Sequence, residues 1–342
     1  MFNFFKGSFF VTLIGLSLAA FVGWEYQHTL QGALQALFLA FVLSILEVSI
    51  SFDNAVVNAS ILKKMTPLWR HRFITWGMWI AVFGMRILFP LFVVSIATSI
   101  SPWAALKMAT LSPDEYSHTM LAAHIPVSAY GGAFLMMVAL KYFFDTSKDI
   151  HWIQHIEKPL VKLGKMESIE IAIVLIGLIS MTKAIPDNEK MSFLLAGLFG
   201  LITYIFVDGI GAFLSLSEDA ESNLQKASAM MFLYLEVLDA SFSFDGVIGS
   251  FAISNNLFII AIGLGIGAMF VRSLTLLFVA KDTLTEFRYL EHGAFYAILA
   301  LAIIMFLNTV IEIPEVVTGL IGAAFIGMSL YSSLMVKKKE AV

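Results

Sequence analysis

No cysteine occurs in the 342 residues, which excludes disulfides and thiolate metal sites while leaving the compartment open. Charge is scarce: Asp, Glu, Lys and Arg make up 13% of the chain. The only basic block is the short tail Lys337, Lys338, Lys339, and the net charge is −4. A nucleic-acid partner is therefore not expected, and the tail reads as a topological anchor. Long stretches avoid charge altogether, such as Gly7 to Ala20.

What fills the space is apolar: 59% hydrophobic residues, 31 of them Phe, with a mean hydropathy of +0.87. Apolar runs of about 20 residues are long enough to cross a bilayer. Within lipid the backbone must satisfy its own hydrogen bonds, so such runs are helices. Ten spans are expected, at 8–24, 33–62, 73–100, 129–144, 168–184, 191–216, 228–253, 256–280, 292–310 and 315–335. The expected fold is thus all-α, a polytopic transmembrane helical bundle. The first span also resembles a secretory signal, which leaves its retention open. The clearest polar interval, 145–167, carries Asp145, Lys148, Asp149, His151, His155, Glu157 and Lys158. It divides the chain into a first membrane half, 1–150, a cytoplasmic linker, 151–167, and a second half, 168–342.

Counting Lys and Arg on alternate sides places sixteen inside and three outside when the N-terminus is cytoplasmic, the asymmetry expected of a multi-pass protein. Ten spans then put both termini in the cytoplasm, and the expected location is the cell (inner) membrane. Arg86 and Arg272 remain within the membrane.

The two halves also share a pattern. Glu47-Val-Ser-Ile-Ser-Phe-Asp53-Asn54 in the second span aligns with Asp239-Ala-Ser-Phe-Ser-Phe-Asp245-Gly246 in the seventh. Gly77 precedes Arg86 by nine residues, as Gly263 precedes Arg272, and Gly132-Ala-Phe matches Gly293-Ala-Phe. Partners five spans apart cross in opposite directions, which is an inverted repeat. Secondary transporters of this build hold substrate near the midplane, where interrupted helices of the two halves meet. Shared composition accounts for the Gly-Ala-Phe match. It does not account for paired acids and a paired arginine at equal spacing.

Glu47, Asp53, Glu236, Asp239 and Asp245 lie deep in their spans, where each ionised carboxylate costs about 2.5–3.5 kcal/mol or more. Carboxylates suit hard cations, and amide or hydroxyl oxygens from Asn54, Asn58, Ser49, Ser51, Ser241 and Ser243 can complete a shell. With no cysteine, and no histidine in these two spans, manganese, magnesium and calcium remain as candidates. Residues six apart on a regular helix point to different faces. Either the helix breaks near Asp53 and Asp245, freeing carbonyls as ligands, or these acids serve different steps from Glu47 and Asp239. Glu236 and Asp239, three apart, share a face. Asp208 is a further acid, read equally well as a helix-end residue. Arg86 and Arg272 are expected to pair with the repeated acids, as supports for each half or as counter-charges for the empty site. His71, His118, His124, His151 and His155 are read as interfacial or solvated.

At Leu46-Glu47 with Asp53-Asn54-Ala55-Val56-Val57, and at Glu236, Asp239, Phe242 or Phe244, Ser243 and Asp245, the chain resembles the TerC-like family of membrane proteins, placed with the LysE-type transporters. The resemblance implies a transporter-like fold and metal-ion export or homeostasis, with Glu47, Asp53, Asn54, Glu236, Asp239 and Asp245 handling the metal. The chain departs from that family at Gly246, where a serine is usual, and in its larger number of spans.

Three functions compete. The first is a divalent-cation exporter, manganese foremost, with the lipid bilayer and the ion as its only implied partners and no enzymatic activity. A membrane protein that delivers metal or assembles metal-dependent proteins would share the same site. An intramembrane hydrolase would use Asp53 and Asp245 as a dyad, although such a dyad needs two acids and not five. Oligomeric state is not legible.

Overall fold

The computed structural model describes residues 2–214 and 220–340, and every regular element in them is a helix. In chain order these are α1 (Phe2–Gln27), α2 (Leu30–Ile50), α3 (Phe52–Leu62), α4 (Pro67–Trp79), a π-helical segment (Ile80–Leu88), α5 (Phe89–Thr98), α6 (Pro102–Leu111), α7 (Pro113–Ala122) and α8 (His124–Phe144). After the polar interval come α9 (Gln154–Leu163), α10 (Ile169–Met181), α11 (Lys190–Leu214), α12 (Ala220–Ser250), α13 (Leu257–Ala280), the single turn α14 (Thr283–Glu286), α15 (Leu290–Asn308) and α16 (Glu315–Glu340). The end of the sixth expected span lies outside the described residues.

Local chemistry sets many of the boundaries. Pro67, Pro102 and Pro113 each occupy the first helical position, where a missing N–H costs nothing. Thr29 caps α2 by accepting from the Gly32 N–H, and the Asn256 side chain accepts from Phe258 and Ile259 N–H at the start of α13. Each side chain satisfies donors that a helix start leaves open.

Eight described helices are long and apolar enough to cross a membrane, which makes this a multi-pass membrane protein. Each of the ten expected intervals contains a helix; α10 is shorter than the eight, and α12 is not among them. The helices sort into two classes by burial. α8, α13 and α15 are enclosed, whereas α1 and α16 show most of their apolar surface. Phe10, Phe21, Phe38, Trp76, Trp79 and Leu320 are among the exposed large side chains, and this belt explains why so apolar a chain can leave so much of itself uncovered: lipid is its solvent.

α8 and α15, the helices of the matching Gly-Ala-Phe segments, pack on one another. Tyr142 and Phe295 stack between them at 3.7 Å and 2°. α2 lies against α13, while α12 lies against α4 and the π segment, so each half inserts a helix between elements of the other.

The polar interval corrects one expectation. It is not merely a solvated linker: α9 folds back and buries Glu157 completely. The Glu157 carboxylate accepts from the Trp152 and Ile153 N–H groups at 3.1 Å and from the Tyr296 hydroxyl at 3.4 Å. Lys148 Nζ lies 3.1 Å away, His151 Nδ1 3.4 Å and His292 Nε2 3.5 Å. His151, expected in solvent, is a wall of this knot, while His155 is exposed. Burial pushes the Glu157 carboxyl up, but the Ile153 N–H and the charges of His292 and Lys148 more than offset this and hold it below its ordinary value.

Candidate functional site

The second expected span is two helices. α2 stops at Ile50 and α3 starts at Phe52, with Ser51 between them at φ −103° and ψ 17°. Ser51, Asn54 and Asn58 offer the backbone alternative hydrogen bonds, which favours such a break. The expected break is therefore found beside Asp53. The counterpart in the second half differs: α12 runs unbroken from Ala220 to Ser250, through Asp245.

The break lies beside a small cavity of about 30 Å³, room for a water or two or one bare ion. Glu47, Ser51, Asn54 and Asn58 line it from α2 and α3, and Asp239 and Ser243 from α12. Arg86 enters from the π segment and Arg272 from α13. Three matched pairs thus meet in one place: Glu47 with Asp239, Ser51 with Ser243, and Arg86 with Arg272.

Arg86 donates to Glu47 Oε1 in a buried ion pair, as the sequence suggested. Its other terminal nitrogen reaches back 2.6 Å to the Ala81 carbonyl, five residues earlier. The wide π turn supplies that carbonyl, and π segments recur at functional sites. Nothing in the sequence pattern signalled it. Arg272 lies 4.4 Å over the Phe73 ring, and its Nε and Nη2 make no hydrogen bond among the described residues. Asn58 donates to Asp239 at 2.8 Å. The Asn54 Oδ1, Asn58 Oδ1 and Ser243 Oγ atoms are buried without any hydrogen-bond partner among the described residues.

Two glycines allow the close approaches. A Cβ at Gly267 would fall 2.4 Å from Glu47 Cβ and 2.8 Å from the Ser44 carbonyl. A Cβ at Gly77 would fall 2.3 Å from Glu236 Oε1 and 3.4 Å from Arg272 Nη2. Glu236 is buried close to Arg272 but outside the cavity lining, and its carboxylate oxygens make no hydrogen bond among the described residues.

The remaining expected residues go elsewhere. Asp53 does not join Glu47: it lines a separate cavity of about 20 Å³ with Ile50, Gly246, Thr318 and Gly322, and Ser51 and Phe242 stand between the two spaces. Its carboxylate accepts from the Asn54 N–H at 3.0 Å. Even with the break at Ser51, the six-residue spacing leaves the two acids on different faces. The side chain of Asp245 lies outside the described residues. Ser49 and Ser241 bond to carbonyls of their own helices, at Ile45 and Val237, and are not part of the cavity. Asp208 is half-exposed near Lys141, in an open pocket with Glu170.

Buried polar atoms are normally paired, and unpaired ones mark a missing water or ion. Here three such oxygens face the same small space as two carboxylates. That donor set is one for a hard cation. No group of three or more Asp, Glu or His side chains among the described residues is arranged to hold a metal by itself, so the neutral oxygens are essential to this reading.

Residues 52–340 match the family described as a protein of unknown function, DUF475. No curated protein and no solved structure matches the chain.

Proposed function

The chain belongs to the DUF475 family, and because that description carries no activity, we propose a function from the site: movement of a divalent metal cation across the membrane. Manganese is the first candidate, with magnesium and calcium as alternatives. The observation that carries this reading is the convergence of unpartnered Asn54, Asn58 and Ser243 oxygens on a cavity that also holds Glu47 and Asp239. Its size admits an ion and excludes an organic substrate. A metal ion and Arg86 would compete for the Glu47 carboxylate, which links loading of the ion to release of the arginine.

Ten spans and an inverted repeat complete the proposal. The matched pairs around the cavity, and a helix in each of the ten intervals, support a site shared by two halves that rock about it. The resemblance to TerC-like proteins rests on these same residues. We place the protein in the cell membrane with both termini cytoplasmic, on the Lys and Arg asymmetry.

The test is flux into proteoliposomes, offering manganese, magnesium, calcium and zinc separately. Asp239→Asn and Glu47→Gln should abolish it while the protein still inserts. Full flux in both variants would remove the site assignment. No flux of any ion, with tight binding retained, would favour metal delivery or assembly instead.

A further inference from the structure

The two arginines of the matched pattern are held differently. Arg86 is paired with Glu47. Arg272 forms no ion pair among the described residues, and its Nε and Nη2 atoms are buried without a hydrogen-bond partner there. It rests instead 4.4 Å over the Phe73 ring, a contact with a ring face that fixes no hydrogen-bond direction and lets the guanidinium slide. Asp239, the acid matched to Glu47, accepts from Asn58 at 2.8 Å and not from the arginine.

The second half also carries one acid more. Glu236 stands three residues before Asp239, on the same face of α12, and the matching position in the first half is Ser44. Glu236 is 7% exposed, and both of its carboxylate oxygens are buried without a partner among the described residues. The additional acid and the unpaired arginine thus occur in the same half, and they adjoin. Glu236 Oε1 and Arg272 Nη2 both border the space that a Cβ at Gly77 would take, at 2.3 Å and 3.4 Å from it. Opposite charges that are buried and stop short of each other bear the cost of desolvation without the contact that offsets it. A small rotation of the arginine closes that gap. Arg272 also lines the cavity together with Asp239, so it stands between two acids and is bonded to neither.

We propose that Arg272 serves these two acids in turn: it balances Asp239 until a cation takes that carboxylate, and then moves onto Glu236. Glu236 is then a positioning residue that acts through the arginine and does not touch the ion. This rests on the reading of the cavity as a cation site. A cation at Asp239 repels the guanidinium, and Glu236 gives the displaced charge a partner inside the membrane, where an unpaired one is costly. Glycine is needed at position 77 because a side chain there would fill the space in which the two groups meet.

The test is manganese affinity, measured by calorimetry on the purified full chain, with magnesium and calcium as further probes. Glu236→Gln keeps the shape of the side chain and should weaken binding at least tenfold, because the guanidinium then stays beside the ion. Arg272→Met should tighten binding at least threefold. In the Arg272→Met background, Glu236→Gln should change the affinity less than threefold. Simple attraction between Glu236 and the ion gives the opposite result, a loss as large or larger once the arginine is gone. That outcome would overturn the proposal, as would full affinity in Glu236→Gln or no gain in Arg272→Met. Gly77→Ala tests the same step without removing a charge and keeps the proposal falsifiable if Glu236→Gln does not fold. It blocks the approach, so it should weaken binding in the presence of Arg272 and leave it unchanged in the Arg272→Met background. Melting temperature and monodispersity in detergent check that each variant is folded. No binding of any of the three ions to the wild type would overturn the cation-site reading, and this proposal with it. Binding whose dependence on Glu236 ignores Arg272 would overturn this proposal alone.

Discussion

Arg86→Met probes the ion pair that organises the cavity. Both side chains of the Glu47–Arg86 pair are almost fully buried, at 4% and 6% exposure, so solvent screening offers little relief. Removing one partner of such a pair leaves an uncompensated charge and costs about 3–5 kcal/mol. In a chain of 342 residues that corresponds to a fall in melting temperature of about 4–7 °C. The double variant Glu47→Leu/Arg86→Met removes both charges and should recover most of the loss. A second effect separates a metal site from a purely structural pair. Without Arg86 the cavity carries one more net negative charge, so manganese should raise the melting temperature of Arg86→Met by more than that of the wild type. A cation at a hundred times its dissociation constant contributes about 2.7 kcal/mol. Thermal unfolding of purified protein in detergent, with and without manganese, measures both. A melting temperature for Arg86→Met within a degree of wild type would refute the energetic argument. A loss with no metal-dependent recovery would leave the pair structural and remove the counter-charge role.

Asp53→Asn should leave manganese binding intact by calorimetry, because Asp53 lies in its own cavity, whereas Asp239→Asn should weaken it at least tenfold. Gly267→Ala places a methyl against Glu47 and the Ser44 carbonyl, so it should destabilise by about 1–3 kcal/mol, read as a lower melting temperature. Glu157→Gln should release α9 at a cost of about 3 kcal/mol, seen as faster tryptic cleavage at Lys162 and Lys165. Glu157 also sets a pH limit. Its folded-state value is depressed, so its contribution is complete above the ordinary value of 4.5 and is lost as pH falls from there through the depressed one. Cleavage of residues 145–167 by pepsin, which works in acid, should therefore be faster at pH 3 than at pH 5 relative to an unfolded reference substrate, and an unchanged ratio would count against the latch.

Much of the site was legible because charge inside an apolar span is costly and therefore conspicuous. Glu47, Asn54, Asp239, Arg86 and Arg272 stand out for that reason, and the structure gathers all five around one cavity. Glu236 stood out too, although it lies outside the lining of that cavity. Asp53 shows the limit. Its spacing from Glu47 already implied a different face, and only the angle at Ser51 decides that the break does not turn it back. Ser49 and Ser241 failed as ligands because a serine on a helix can bond to its own preceding turn, an option that residue type alone does not exclude. His292 drew no attention in the sequence. It became significant through Ile150, Lys148 and Glu157, which are distant along the chain.

By itself the sequence determined that the chain is a succession of apolar helices, their order, and which residues are too expensive to bury without a purpose. These follow from hydropathy, helix length and the cost of charge in lipid, which act on short stretches of chain. Only the tertiary structure decided which of those residues share a space. It also decided the π turn that sets Arg86, the glycine contacts that admit Glu47 and Glu236, and the docking of α9. Each depends on the relative placement of helices far apart in the chain, and a local pattern carries no information about the distance between them.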